Sequence, residues 1–369
     1  MDVIHINSYY PSSSLYKNFE NALMEKDVQI TTFVAVNKSN MIDGNKSDLS
    51  HIHIKGLFNN FDRFLFYRKQ HKIYKYFREN FQMKRSTILH AHSLFTNGYI
   101  AYRNYLENNT PYIVAVRNTD LNLFFSKMIH LRRLGVRILK HAKKIIFISE
   151  PYKNTVLNKY VSEKIRDTIE KKSKVIPNGI DSYWFENKHK PRKLNSSEIR
   201  LLFIGRINDS KNILNLIKAT DILIEQGYDI KLDVVGEKVS LDIFNEIENN
   251  DYLFYKGILN KQELLKLYRQ NDIFVLPSKR ETFGLVYPEA MSQGLPVIYT
   301  KNQGFDKQLP DGLVGYPVLS SNPEDIANKI VQVKKHYNIM STNSIDYVDK
   351  FDWNLIAEEY KDIYLSTIY

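Results

Sequence analysis

Cysteine is absent from this chain of 369 residues, which excludes disulfides and thiolate metal sites. No run of about 18 apolar residues occurs, so nothing reads as a membrane-spanning helix. The opening apolar residues are not followed by a signal-peptide core. These absences predict a cytoplasmic protein. Acidic residues are scarce in one half only: residues 1–178 hold 29 Lys and Arg against 14 Asp and Glu (+15), whereas 179–369 hold 23 against 27 (−4). Such asymmetry suggests that the first half faces an acidic partner, either nucleic acid or an anionic membrane surface. An apolar content of 43% and an aromatic content of 13% describe a folded globular protein, and the length suits two domains, each with its own core.

The stretch at 278–294, SKRETFGLVYPEAMSQG, concentrates the chemistry. Apolar 273–276 reads as a buried strand, 285–292 as a helix and 296–298 as the next strand. Gly284 stands just before the helix, where unpaired amides and the positive dipole end form an anion site suited to phosphate. Glu281 and Glu289, eight residues apart, cannot favour phosphate themselves. Ionised carboxylates accept hydrogen bonds from hydroxyls, and a pair flanking a phosphate cradle suits a nucleotide sugar. The plainer alternative is a dipole-favouring acid beside an unrelated exposed glutamate.

The order of elements predicts a doubly wound α/β pattern that restarts once. Strands are expected near 3–7, 28–36, 52–54, 87–90, 112–116, 145–148 and 174–176, with a helix at 15–25. The first loop carries Pro11 and three serines, whose hydroxyls can meet a polar ligand. Residues 61–81 and 128–144 are basic and ring-rich or apolar; the second is the better amphipathic helix, the first holding less cleanly to one face. Both are read either as solvated helix faces or as docking surfaces for anionic lipid. His90 and His92 share a strand face, but no third metal ligand is evident, which favours a structural or substrate-contacting role.

Pro177, Asn178 and Gly179 break the pattern, and the polar run 187–197 reads as linker. The second half restarts with a strand at 200–204, then Gly205 and Arg206, then a helix from Lys211 to about 226. A lysine in a first turn opposes the helix dipole unless an anion sits beside it, so Arg206 and Lys211 are candidates for a diphosphate. Strands at 231–235 and 252–255, Gly304 and Asp306, helices at 322–337 and 345–350, and an apolar stripe through Leu355, Ile356, Tyr360, Ile363 and Tyr364 complete the reading.

These motifs together resemble glycosyltransferase family 4, the retaining E-x7-E enzymes. IPNGID at 176–181, FIGR at 203–206, VVG at 234–236 and HAHS at 90–93 fit in order and spacing across nearly the whole chain. The resemblance implies the GT-B fold: two doubly wound Rossmann-like domains facing a cleft. These would be an acceptor domain at 1–180 and a nucleotide-sugar domain at 181–353, with a closing helix at 354–369 crossing back to the first. It implies a retaining, metal-independent hexosyltransferase using a UDP-sugar as substrate, with no cofactor. Glu281 would hold the sugar hydroxyls, Glu289 the ribose, and Arg206 and Lys211 the departing diphosphate. Gly205, Gly236, Gly257, Ile258, Leu259, Thr282, Phe283, Gly284 and Leu285 would line the donor site, and Asp120 would assist the acceptor.

The family commonly has a glycine pair in the first loop and His-Gly before that aspartate, and here both differ, with Arg117, Asn118 and Thr119 in the second place. The expected acceptor is a glycan or lipid-linked saccharide, as in capsule, exopolysaccharide, lipopolysaccharide or teichoic acid synthesis, with peripheral membrane attachment through the basic first domain. A nucleotide-sugar epimerase of the same fold is the alternative enzyme. A nucleic-acid-binding protein, suggested only by a pI near 9.3, leaves both glutamates and the glycine loops without a purpose.

Overall fold

The structure is a computed structural model that describes residues 1–40, 50–194 and 196–368. Position 195 of the expected linker and the final residue of the closing segment lie outside the described residues. Contacts divide the chain into two units. The first is Met1–Ile148 and Tyr152–Pro177 together with the helix Trp353–Ile368; the second is Asn178–Asp352 with the short piece Ser149–Pro151.

The first unit is built on β1 (Asp2–Ile6), β2 (Gln29–Asn37), β3 (Ile52–Phe58), β4 (Thr87–Ala91), β5 (Tyr112–Val116), β6 (Lys144–Phe147) and β7 (Ser173–Val175). They lie in the order β3-β2-β1-β4-β5-β6-β7, all pairs parallel. Every residue of β4 and β5 is buried, as a parallel sheet covered on both faces requires. Strand order reverses between β1 and β4, which creates the crevice where such sheets take ligands.

Ser13 accepts the Leu15 N–H at 3.2 Å and caps the helix Ser14–Met24, so this serine of the first loop serves the fold. Helix Phe66–Asn80 buries Phe66, Gln70, Ile73, Tyr74 and Phe77, a single stripe at helical spacing. The apolar residues do not all keep to that face, since Tyr67 is exposed, and the stripe passes instead through a glutamine that hydrophobicity does not flag. Helix Arg132–His141 buries Leu134, Ile138 and Leu139 and leaves Arg133, Arg137 and Lys140 exposed. No helix among the described residues is long and apolar enough to cross a membrane.

The closing helix belongs to this first unit. Trp353, Ile356, Tyr360, Ile363 and Tyr364 enter one core with Phe19, Leu23, Ile88 and Ile113. Leu355, expected on that stripe, is exposed instead.

The second unit repeats the plan with β8 (Ile199–Ile204), β9 (Ile230–Val235), β10 (Leu253–Tyr255), β11 (Ile273–Leu276), β12 (Val297–Thr300) and β13 (Gly315–Val318). The order is β10-β9-β8-β11-β12-β13, again all parallel. β13 escaped the sequence reading because Gly315 and Pro317 look like a turn; proline is tolerated there because the strand is at the edge. Lys211 is not in a helical first turn. It ends a 3-10 turn at Asp209–Lys211, Asn212 follows at φ 60°, and the helix proper is Ile213–Glu225. Near the end of the unit, Pro323–Lys335 is followed by a second helix, Tyr337–Tyr347, where only a short one at 345–350 was expected.

The Tyr364 hydroxyl lies 2.7 Å from His90 Nδ1 and 3.2 Å from His5 Nε2, both rings buried. Tyr364→Phe leaves these imidazoles short of a partner, and the expected cost is about 1–3 kcal/mol, read by chemical denaturation. An unchanged midpoint would mean that the closing helix is held by apolar packing alone.

Candidate active site

Glu281 stands in the loop between β11 and helix Val286–Ser292, and only 8% of it is exposed. Its Oε2 lies 2.5 Å from Lys211 Nζ and 3.3 Å from the Ser278 hydroxyl. The loop is held from several sides. Glu281 N–H donates to Gln303 Oε1 at 2.9 Å, Gly304 N–H to the Glu281 carbonyl at 3.2 Å, and Thr300 Oγ1 to the Ser278 carbonyl at 2.8 Å. Asn212 reaches the Pro277 carbonyl at 2.9 Å, tying the turn that carries Lys211 to the loop that carries Glu281. At Gly304 a Cβ would stand 1.8 Å from the Thr282 carbonyl oxygen, so only glycine lets the two backbones meet. Gly284 adopts φ 81°, and a Cβ there would strike the Tyr287 ring.

The amides at the helix start divide in use. Thr282 N–H is 3.2 Å from Glu281 Oε1, and Leu285 caps the helix without a side-chain hydrogen bond. Phe283 is a core residue, its ring packed against Phe305 and Phe351, so of the donor-lining residues expected it has only backbone to offer a ligand.

The glycines at neighbouring strand ends meet. Gly236 N–H donates to the Gly257 carbonyl at 2.8 Å, and a Cβ on Gly236 would lie 2.0 Å from the Gly205 carbonyl oxygen. Gly205 itself lies against the aliphatic stem of Lys211. Arg206 is exposed at the end of β8, and Ile258, just past β10, is 75% exposed with Leu259 half-buried behind it. An exposed isoleucine next to bare backbone offers a flat apolar surface for an aromatic base.

Glu289 has different company. Tyr268 Oη lies 3.3 Å from its Oε2, and Lys261 is paired with Asp181 at 2.6 Å in the same neighbourhood. Burial of the carboxyl pushes its pKa up to about 7; Tyr268 and Lys261 pull it down, and Asp181 adds to the rise. The two acids of the motif therefore differ in state: one ion-paired, the other poised near neutrality.

In the first unit Asp120 is fully buried. Oδ2 accepts the amides of Leu94 (2.9 Å) and Arg117 (2.8 Å), and Oδ1 that of Phe95 (3.1 Å). Burial raises its pKa to about 6 against the pull of these amides. Its place is that of a clamp on the loops after β4 and β5, and any assistance to an acceptor passes through the loops it positions.

His90 and His92 do have a third imidazole beside them: His5, the β1 residue in register with His90. The donor atoms lie within 4.8 Å of one another, which corrects the expectation that no third ligand exists. His5, however, has Nδ1 on Glu20 at 2.9 Å and Nε2 on Tyr364, and His90 stacks on His92 with ring centroids 4.1 Å apart. A metal ion would have to displace Glu20 or Tyr364 from His5. Burial, then the neighbouring imidazoles, holds both His90 and His92 well below the usual histidine range, so they stay neutral.

The structure thus joins Lys211 to Glu281 and gathers Gly205, Gly236 and Gly257, while Asp120 lies in the first unit and Glu289 among separate neighbours. Sequence reading missed Gln303, Tyr268, Lys261 and His5. Only His5 had a usable signal, the apolar alternation of β1 around a buried polar residue.

Residues 185–347 match the family model for glycosyl transferases group 1, and residues 15–183 match that for glycosyltransferase family 4. An uncharacterized glycosyltransferase of Methanocaldococcus jannaschii is 27% identical over 75% of this chain and 74% of its own length. The capsular polysaccharide biosynthesis glycosyltransferase CapM of Staphylococcus aureus is 30% identical over 60% of this chain and 61% of its own. Among solved structures, sucrose-phosphate synthase from Thermosynechococcus elongatus superposes with a TM-score of 0.75 at 17% identity, covering 99% of this chain and 98% of that one. Anabaena HepE in complex with UDP gives 0.70 at 16% identity, with 99% of both chains covered.

Unfolding returns His90 and His92 to a pKa of about 6.5, so the unfolded chain binds more protons and stability is lost as pH falls through that value. His92→Phe removes one of these groups. Its denaturation midpoint should rise relative to wild type between about pH 7.5 and about pH 5.5. A pH-independent difference would show that His92 already titrates normally in the fold.

Proposed function

Because this chain belongs to the glycosyltransferases of family 4, with two parallel sheets of the GT-B kind, we propose that it transfers a hexose with retention from a UDP-sugar to a saccharide acceptor carried on lipid. The observation that carries this reading is the Lys211–Glu281 pair, set among the glycine-lined strand ends of the second unit. A carboxylate this shielded is suited to hydroxyls, and a cation touching it is suited to phosphate. One ligand that has both groups side by side is a sugar diphosphate. UDP in the Anabaena relative and capsule synthesis in the Staphylococcus aureus relative favour the donor and the pathway class.

In the proposed reaction the bond from C1 of the sugar to the diphosphate oxygen breaks, and the acceptor hydroxyl forms its bond on the face that the diphosphate leaves. The hydroxyl proton passes to the departing phosphate. Lys211 and Arg206 offset the charge that grows on that phosphate, in the role a divalent ion has elsewhere. Glu281 orients the sugar, Glu289 accepts from the ribose, and exposed Ile258 supports the base. The exposed bases of helix Arg132–His141 suit an anionic membrane that would supply the lipid acceptor.

The test is transfer from a panel of UDP- and GDP-sugars to lipid-linked saccharides, with and without chelator. Turnover should persist in chelator, and Glu281→Gln should lower kcat by about a hundredfold or more in a folded protein. Dependence on added divalent ion would overturn the Lys211 and Arg206 assignment, and an isomerised donor with no new glycosidic bond would identify an epimerase.

Glu289 must be ionised to accept from two ribose hydroxyls, yet its pKa in the empty site is about 7. Nucleotide binding should expel its proton, so UDP affinity should rise as pH increases through about 7. Calorimetry in buffers of different ionisation enthalpy reads this directly. The rise should vanish in Glu289→Gln, and an equal pH profile in that variant would detach the residue from the ribose.

A further inference from the structure

The first unit holds a cavity of about 370 Å³ at the carboxyl ends of its strands, lined in part by Ser8 and Tyr9 after β1, Asn37 at the end of β2, and Thr119 after β5. Two cations, Arg63 and Lys69, also line it, and no carboxylate does so among the described residues. The nearest acid in sequence is committed elsewhere: Asp62 pairs with Lys72 at 2.7 Å and Arg68 at 3.2 Å. Lys69 stands with its ammonium 4.3 Å from the Phe58 ring centroid. Burial and then the charge on Arg63 hold its pKa below the usual lysine range. Two like charges thus share a partly enclosed space in which no carboxylate of the described residues takes part, an arrangement that an anion would relieve.

The other wall is apolar, formed by Phe58, Phe66, Leu123 and Met128. Exposed apolar side chains stand at its edge and next to its lining residues in the chain. Leu123 is 41% exposed, Phe64 beside Arg63 is 84% exposed, and Ile129 beside Met128 is 65% exposed. A water-soluble sugar phosphate has no use for such a rim, whereas a phosphate joined to a hydrocarbon chain uses both parts at once.

We propose that this cavity takes the phosphate group of a lipid phosphate, with Arg63 and Lys69 on the phosphate and Phe58, Leu123 and Met128 along the first part of its hydrocarbon chain. The identification of that lipid as the acceptor's carrier rests on the transferase reading above; the binding itself does not.

The experiment uses the full chain without donor. Binding of a short, water-soluble prenyl phosphate, the matching prenol and inorganic phosphate is compared by calorimetry for wild type, Arg63→Gln, Lys69→Gln and Leu123→Asp, with UDP binding measured in parallel as a check on the second unit. Prenyl phosphate should bind at least about tenfold tighter than the prenol or inorganic phosphate, since one charge-assisted contact of about 1.5 kcal/mol is worth that factor. Each variant should lose about tenfold while UDP affinity is unchanged. Equal binding of inorganic phosphate and prenyl phosphate would overturn the lipid part, and prenyl phosphate binding that none of the substitutions affects would overturn the site. Failure of sugar transfer with these results intact would fault only the transferase reading.

Discussion

A shielded carboxylate needs a cation, and Glu281 finds one in Lys211, 70 positions away in the chain. The contact joins the loop after β11 to the turn after β8, two neighbouring strands of one sheet. Much else in the second unit serves it. Asn212 in a left-handed conformation ends the turn so that the lysine precedes the helix, and Gly304 lets a third loop support the Glu281 backbone. In the absence of a ligand the pair keeps both charges compensated, because breaking a shielded ion pair leaves an uncompensated charge at a cost of about 3–5 kcal/mol. A sugar diphosphate can share both partners without that cost, since it brings hydroxyls to one and negative charge to the other.

The same logic separates the polar groups of the first unit by what they have to satisfy. Asp120 spends its oxygens on three amides and thereby sets the loops after β4 and β5. His5 and His90 meet at the Tyr364 hydroxyl and so tie the closing helix to the sheet. Arg63 and Lys69 differ from both because they face a cavity with no acid among its described lining residues. Buried groups with partners maintain the fold, and charges left facing open space are where a ligand has something to gain.

Parallel topology explains why these features occur at one end of each sheet. All strands of a unit run the same way, so their following loops collect at a single edge. Glycine is used there where backbones touch, as at Gly236 against Gly205. Side chains would force these strand ends apart.

The sequence by itself determined the repeated strand and helix order, the break near Pro177, the glutamate pair with its glycines, and the concentration of positive charge in the first half. Periodicity, turn residues and composition act locally, and their spacing survives without coordinates. It could not show β13, whose glycine and proline imitate a turn, nor the Gln70 stripe, because an edge position and a buried amide are decided by neighbours distant in the chain. Only the tertiary structure decided that Lys211 meets Glu281, that Glu289 titrates near neutrality, that His5 completes the imidazole trio, and that Asp120 is a clamp. Each depends on groups brought close by sheet pairing and removed from water together, and distance and desolvation have no signature in the order of residues.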